Sequence, residues 1–243
     1  QAYILHQVNL HNRVLSSVLS QEIQVSEDTI RRDLYELSQE GKLIKVHGGA
    51  LSPSFNQVYY SPKKVYSREK KAIIAEKAVS LIEDGMFVLT SGGSTILELA
   101  RALPSKLKAN FITGSIPAVL EYMNHPNIDV IIIGDKISKN SKITTGGEAI
   151  SKIKEIKADI CFMGINSIDT THGITDNDWE IVQIKKSMIS SSQKVVCLSI
   201  SEKINTFQPI KICDLEDVDM LITELPSTHE QLKPYLDSGL KVL

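Results

Sequence analysis

Between residues 12 and 23, Val14, Leu15, Val18, Leu19 and Ile23 fall on one helical stripe, while Asn12, Arg13, Ser16 and Ser20 fall elsewhere. That spacing predicts an amphipathic helix with one buried face. A second helix is predicted almost at once. Ser26 is a good N-cap, Glu27 and Asp28 suit the positive end of the helix dipole, Ile30, Leu34 and Leu37 recur at i, i+4 and i+7, and Gly41 marks the stop. Short helices joined this tightly predict a helix-turn-helix. Lys42 to Leu51 is β-prone and reaches the Gly48-Gly49 turn, which predicts the hairpin wing of a winged helix. Residues 52–64 follow no period and carry two prolines. They read as a linker between an N-terminal domain, 1–51, and a second domain, 65–243.

Past the linker the pattern alternates. A helix is predicted over 67–83, a strand over 86–90, a helix from Thr95 through Leu103 and a strand over 109–113. Apolar runs at 129–134, 159–164, 194–200 and 220–223 are separated by segments long enough for crossover helices. Continuous apolar strands alternating with helices predict an α/β fold, a doubly covered and largely parallel sheet.

Composition adds limits. The net charge of -2 announces neither a nucleic acid nor a membrane surface, and residues 1–50 hold five Lys or Arg against six Asp or Glu. No apolar run reaches the length of a membrane helix and no signal-peptide pattern opens the chain, so a cytoplasmic protein without a membrane partner is expected. Cys161, Cys197 and Cys213 are far apart among apolar neighbours, which reads as buried thiols and not as a metal cluster or disulfide framework. No cofactor or metal motif is found.

Two stretches carry candidate chemistry. The second helix of a helix-turn-helix enters the major groove by its first turns, so Ser26, Glu27, Asp28, Thr29, Arg31 and Arg32 are candidates to touch double-stranded DNA, with Lys42, Lys45 and His47 on the wing reaching phosphates. An alternative stays open, in which Arg31 and Arg32 pair with Asp28, Asp33 or Glu36 on a solvated helix. In the second domain, Met86 to Thr95 is a strand running into a Gly92-Gly93-Ser94-Thr95 turn that opens a helix. Glycines admit backbone N–H groups to an oxyanion, hydroxyls donate to it, and the helix dipole adds positive potential. The competing reading is a plain turn capped by Ser94. Thr113-Gly114-Ser115 and Thr144-Thr145-Gly146-Gly147 are similar turns, and the three can share one crevice. Lys185 and Lys203 can neutralise a phosphate, although each reads more readily as a solvated lysine; Trp179 reads as packing and His172 as a surface turn residue.

Residues 25–51, VSEDTIRRDLYELSQEGKLIKVHGGAL, closely resemble the signature of DeoR-family sugar-metabolism repressors. GGST, ITGS, DICFMGINSID, HGIT, IKKSM and SEKIN are similar to successive landmarks of the DeoR-type sensor domain, which shares its fold with ribose-5-phosphate isomerases. The resemblance implies a repressor that binds operator DNA as a homo-oligomer and answers to a phosphorylated sugar. It implies that Gly92 to Thr95 hold the effector phosphate, that Thr113 to Ser115 line the site and that Lys185 and Lys203 lie near it. It also implies a basic, helical segment ahead of the recognition motif, which this sequence shows only in weakened or truncated form. Ser91 and Ile200 stand where the family usually has Asp. The alternative function is a sugar-phosphate isomerase, which needs a carboxylate base. Met163-Gly164-Ile165-Asn166 replaces the isomerases' Asp-Gly-Ala-Asp, while Asp169, Asp176, Asp178 and Glu180 keep that alternative open.

Overall fold

The computed structural model describes residues 1–53 and 65–243, so all of the expected linker except Ser52 and Pro53 lies outside the described residues. The chain divides into two compact units, Gln1–Tyr66 and Ser67–Leu243.

In the first unit, α1 (Ala2–His11) leads into β1 (Arg13–Leu15), α2 (Ser16–Ile23), α3 (Glu27–Gln39), β2 (Ile44–Val46) and β3 (Gly49–Leu51). The helix expected from residue 12 therefore begins at Ser16. Residues 13–15 are extended and pair antiparallel with β3, Val14 opposite Ala50. The wing is thus a three-stranded sheet ordered β1-β3-β2 and not a lone hairpin. Ser26 caps α3 by accepting from the Thr29 N–H at 3.2 Å, and Gly41 turns the chain at φ +69°. The core joins Ile30, Leu34 and Leu37 of α3 to Leu19, Val14 and Leu43, and also to Ile4 and Val8 of α1. The leading segment is a formed helix that supplies core, although residues 1–12 carry neither Lys nor Arg.

The second unit is built on a seven-stranded sheet of order β15-β14-β12-β9-β4-β5-β6. These strands are β4 (Phe87–Thr90), β5 (Asn110–Thr113), β6 (Asp129–Ile132), β9 (Ile160–Gly164), β12 (Val195–Leu198), β14 (Met220–Ile222) and β15 (Lys241–Val242). Every neighbour pairing in it is parallel. β12 is buried at all four positions, and β9 at its first four. Both faces are therefore covered, as continuous apolar runs require. The helices are α4 (Arg68–Val79), α5 (Ser94–Ala102), α6 (Ile116–Tyr122), α7 (Gly147–Lys154), α8 (Trp179–Ser190) and α9 (Lys233–Asp237). Not every interval between sheet strands is a crossover helix alone. β7 (Lys136–Ser138) and β8 (Ile143–Thr145) form a hairpin before α7. β10 (Ser167–Asp169), β11 (Gly173–Asp176) and β13 (Ile210–Cys213) form a small antiparallel sheet.

The order of the large sheet places the site. From β4 the chain proceeds to β5 and β6 on one side, then returns to β9 on the other and continues outward. The carboxyl ends of β4 and β9 flank a topological switch point, where open α/β sheets leave a crevice for ligands.

Ile4 is fully buried, so Ile4→Ala is expected to cost the first unit about 2–5 kcal/mol. Hydrogen exchange of the α2 and α3 amides in the full chain checks this; unchanged protection would place α1 outside the core.

Candidate functional site

β4 ends at the switch point in Ser91-Gly92-Gly93, after which α5 begins at Ser94. Gly93 is the N-cap residue at φ +105°, a backbone that side chains rarely adopt, and no side chain caps the helix. The reading in which Ser94 caps the turn is thereby corrected, and the first N–H groups of α5 are left for another acceptor. Ser94 is half-buried and Thr95 buried beside them. The Ser91 hydroxyl accepts from the Gly164 N–H at 3.0 Å, tying the end of β4 to the end of β9.

The other two small-residue turns arrive at the same place. Thr113 Oγ1 donates to the Thr90 carbonyl at 2.9 Å and accepts from the Ser115 N–H, so the end of β5 is folded against the end of β4. Gly114 accepts from the Thr144 N–H at 2.9 Å. A Cβ on Gly114 would lie 2.3 Å from Thr144 Oγ1, so only glycine permits the two turns to touch. Ser115 caps α6 through the Ala118 N–H. A small, largely apolar cavity with about 20 Å³ of room for water lies behind these turns, lined by Ser91, Gly114, Ser115, Thr144, Ile181 and Lys185. Thr113 is fully buried and braces this wall, while Gly114 and Ser115 face the cavity.

Charge enters from α8 and from a single 3-10 turn, Ser201–Lys203. Lys185 is buried, not solvated, and its Nζ donates to Asp176 Oδ2 at 2.8 Å. Burial pushes the Asp176 carboxyl up, but the charge and hydrogen bond of Lys185 outweigh it and hold the acid below its ordinary value. Lys203 is half-buried and donates to the Ile165 carbonyl at 3.2 Å, next to the Gly164 that Ser91 holds. Desolvation and the nearby Lys71 and Lys185 charges bring the Lys203 ammonium down to about 7, against the pull of Asp176 and Glu202. Lys71 of α4 was not anticipated as a site residue. It is buried, and desolvation lowers it to about 8 although Glu202 and Glu98 oppose this. The signal was in the period, since Lys71 shares a stripe with Ile74, Ala75 and Ala78.

The acids that kept an isomerase in view are committed elsewhere. Asp176 holds Lys185, and Asn166 Nδ2 also donates to it at 3.4 Å. Asp178 caps α8, Glu180 pairs with Lys136 at 3.3 Å, and Asp169 pairs with His172 at 2.7 Å. Trp179, read as packing, is 70% exposed. Cys161, Cys197 and Cys213 are buried free thiols.

In the first unit, Ser26, Glu27, Asp28, Thr29, Arg31 and Arg32 are all exposed along the start of α3, as are Lys42, Lys45 and His47 on the wing. Arg31 lies 3.0 Å from Asp28 and 3.3 Å from Glu27, so the ion-pair alternative holds for this residue. Lys42 pairs with Glu40 at 2.6 Å. Lys45 Nζ on β2 sits 5.3 Å from the ring centre of Tyr35, an exposed aromatic on α3 that sequence reasoning passed over.

No helix among the described residues is long and apolar enough to cross a membrane. The chain is similar to the HTH-type transcriptional regulator GolR of Listeria innocua, 29% identical over 100% of this chain and 96% of that protein. It is 30% identical to the HTH-type transcriptional repressor GlcR of Bacillus subtilis, over 91% and 86% of the two chains. The glycerol-3-phosphate regulon repressor of Haemophilus influenzae is 29% identical over 83% and 79%. Among solved structures, ribose 5-phosphate isomerase A from Methanocaldococcus jannaschii is a distant likeness, with 21% identity and a TM-score of 0.41 over 57% of this chain and 55% of that one. Residues 1–55 match the DeoR-like helix-turn-helix domain and residues 66–225 the DeoR C terminal sensor domain. The chain therefore belongs to the DeoR family of transcriptional regulators and is not an enzyme.

Proposed function

We propose that this regulator is a repressor of a sugar-catabolism operon and that a phosphorylated sugar, bound in the second unit, controls its hold on operator DNA. The observation that carries the reading is an uncapped α5 N-terminus at the sheet's switch point, next to a cavity that Ser91 and the buried Lys185 line. Asp176 is engaged by Lys185, while Glu98 and Glu202 are shared with Arg68, Arg101 and Lys70. The charges of Lys71 and Lys185 act on Lys203, and this gathering of cations suits a phosphate dianion. Gly92, Gly93, Ser94 and Thr95 supply backbone and hydroxyl donors to it, with Gly114 and Ser115 forming the adjoining wall and Thr113 bracing it. Relatives named as a glycerol-3-phosphate regulon repressor and a transcriptional repressor support the same direction. The cavity now holds little more than one water, so the sugar moiety requires the walls to open.

On DNA, the first turns of α3 from Ser26 to Arg32 read the major groove, and Lys42, Lys45 and His47 hold phosphates along the wing. Arg31 exchanges its two carboxylate partners for the operator, whereas Arg32 has no ion pair to give up among the described residues. One short helix reads few base pairs, so a homo-oligomer presenting two-fold related α3 helices supplies the remaining specificity.

Thermal shift against sugar phosphates and their unphosphorylated parents tests the site, and an equal response to both would refute it. Its pH dependence is signed. A phosphate ester gains its second charge near pH ~6, so affinity rises to that point. It falls above about 7 as free Lys203 loses its proton, and further above about 8 with Lys71. Calorimetric titration of Lys203→Met is expected to show weaker binding without the break near 7; a wild-type break in Lys203→Met would exclude that lysine.

For DNA, Arg32→Ala and Lys45→Ala are each expected to lower the salt slope of promoter binding by about 1. A gel-shift series over salt concentration reads this directly, and slopes equal to wild type would remove these residues from the interface.

A further inference from the structure

The first turn of α4 is the point at which the chain enters the second unit, and it is fastened to both walls of the candidate site. Toward one wall, Arg68 Nε lies 3.2 Å from Glu98 Oε1, on the helix whose N-terminus is the phosphate turn. Arg101 of that helix shares the same oxygen at 3.2 Å. Toward the other wall, Lys70 Nζ lies 2.8 Å from Glu202 Oε2, 3.0 Å from Ser201 Oγ and 3.1 Å from Glu224 Oε1. Glu202 and Ser201 belong to the 3-10 turn that carries Lys203. Glu224 holds this turn from behind by accepting from the Ser201 N–H at 3.0 Å.

Ser67 makes the attachment directional. It is the first residue of the second unit and sits at φ +49°, a left-handed conformation that non-glycine residues rarely adopt. Its hydroxyl donates to Glu202 Oε1 at 3.3 Å. The α4 helix starts from it through the Lys71 N–H to Ser67 carbonyl bond at 3.2 Å. One carboxylate, Glu202, therefore holds both the strained entry residue and Lys70 of α4 while adjoining the site lysine in sequence.

The geometry points to Glu202 and its partners Ser67 and Lys70 as the relay that carries effector occupancy at Lys203 to the chain entering from the DNA-binding unit. This rests on the phosphate reading of the site. An anion arriving at Lys203 changes the position or the charge of the Ser201–Lys203 turn, and Glu202 moves with it. Loss of the Lys70 and Ser67 contacts then frees Ser67 to leave its left-handed conformation, which changes the direction of the backbone at the Tyr66–Ser67 boundary. The clamp contributes little binding energy itself. Its function is to make the ligand's affinity differ between two arrangements of the entry turn, which is the requirement for any allosteric effect.

The test uses the full chain and two readouts, with glucose 6-phosphate, fructose 6-phosphate, fructose 1-phosphate, ribose 5-phosphate and glycerol 3-phosphate as probes. Calorimetry gives probe affinity, and gel shift on the promoter of the protein's own gene gives DNA affinity with and without probe. In wild type at least one probe is expected to change DNA affinity by about 5-fold or more. In Lys70→Gln and Glu202→Gln that ratio is expected to collapse to about 1 while the same probe still binds. The charge-swapped pair Lys70→Glu with Glu202→Lys is expected to regain part of the ratio, which a merely misfolded variant would not. A full wild-type ratio in Lys70→Gln overturns the relay and leaves the site intact. Loss of probe binding in Lys70→Gln with the charge swap unable to restore it also overturns the relay, since Lys70 would then be a site residue. No response of wild type to any probe overturns the phosphate reading, and the relay falls with it.

Discussion

An ammonium group removed from water must find a carboxylate, find an anion or give up its proton, and the second unit is arranged around that choice. Lys71, Lys185 and Lys203 arrive from α4, α8 and a 3-10 turn, three elements that have no sequence proximity. Lys185 takes the first solution with Asp176, a pair buried on both sides. Such a pair gives little net stability, but removing either member strands a charge. It therefore fixes α8 against β11 and the small antiparallel sheet more firmly than apolar contact alone. Desolvation lowers both Lys71 and Lys203, and the charges of Lys71 and Lys185 lower Lys203 further.

Much of this was legible in the sequence. The six parallel strands from β4 to β14 coincide with apolar runs, buried throughout in β12 and left largely exposed in the edge strand β6, and the α3 stripe of Ile30, Leu34 and Leu37 is fully buried. The three small-residue turns meet because parallel strands bring their carboxyl ends to one edge, so neighbouring strand ends share a crevice by construction. Other elements left weaker signals. β1 is three residues long and too short to display a period, and α1 contributes a narrow stripe on a helix that is otherwise polar or mixed. β10, β11 and β13 bury polar residues such as Ser167, Thr175 and Asp176, whose burial depends on partners far away in sequence. No local pattern announces that.

Lysines were the systematic error. A lysine on a helix is solvated by default, and that prior concealed Lys71 and made Lys185 ambiguous. Both sit on the apolar stripe of their helices, Lys71 with Ile74, Ala75 and Ala78, and Lys185 with Ile181, Ile184 and Met188. A cation in register with a buried face is paired or functional more often than its residue type suggests. Trp179 erred in the opposite direction. Large aromatics are buried on average, yet this one opens α8 beside its cap and stays largely in water.

Ser91 shows how one departure from the family pattern alters the balance of the whole site. The resemblance leads to an Asp at this position, and an Asp would bring a negative charge to the end of β4. Serine keeps the mechanical part of the role, since its hydroxyl accepts the Gly164 N–H and locks β4 to β9 at the switch point. It gives up the charge. The crevice is consequently more positive by one unit than an Asp-bearing counterpart, with Asp176 already spoken for by Lys185. A neutral oxygen can still donate or accept a hydrogen bond, but it adds no charge to the end of β4. Asn166, just past the end of β9, follows the same logic, since it is also uncharged and donates to Asp176.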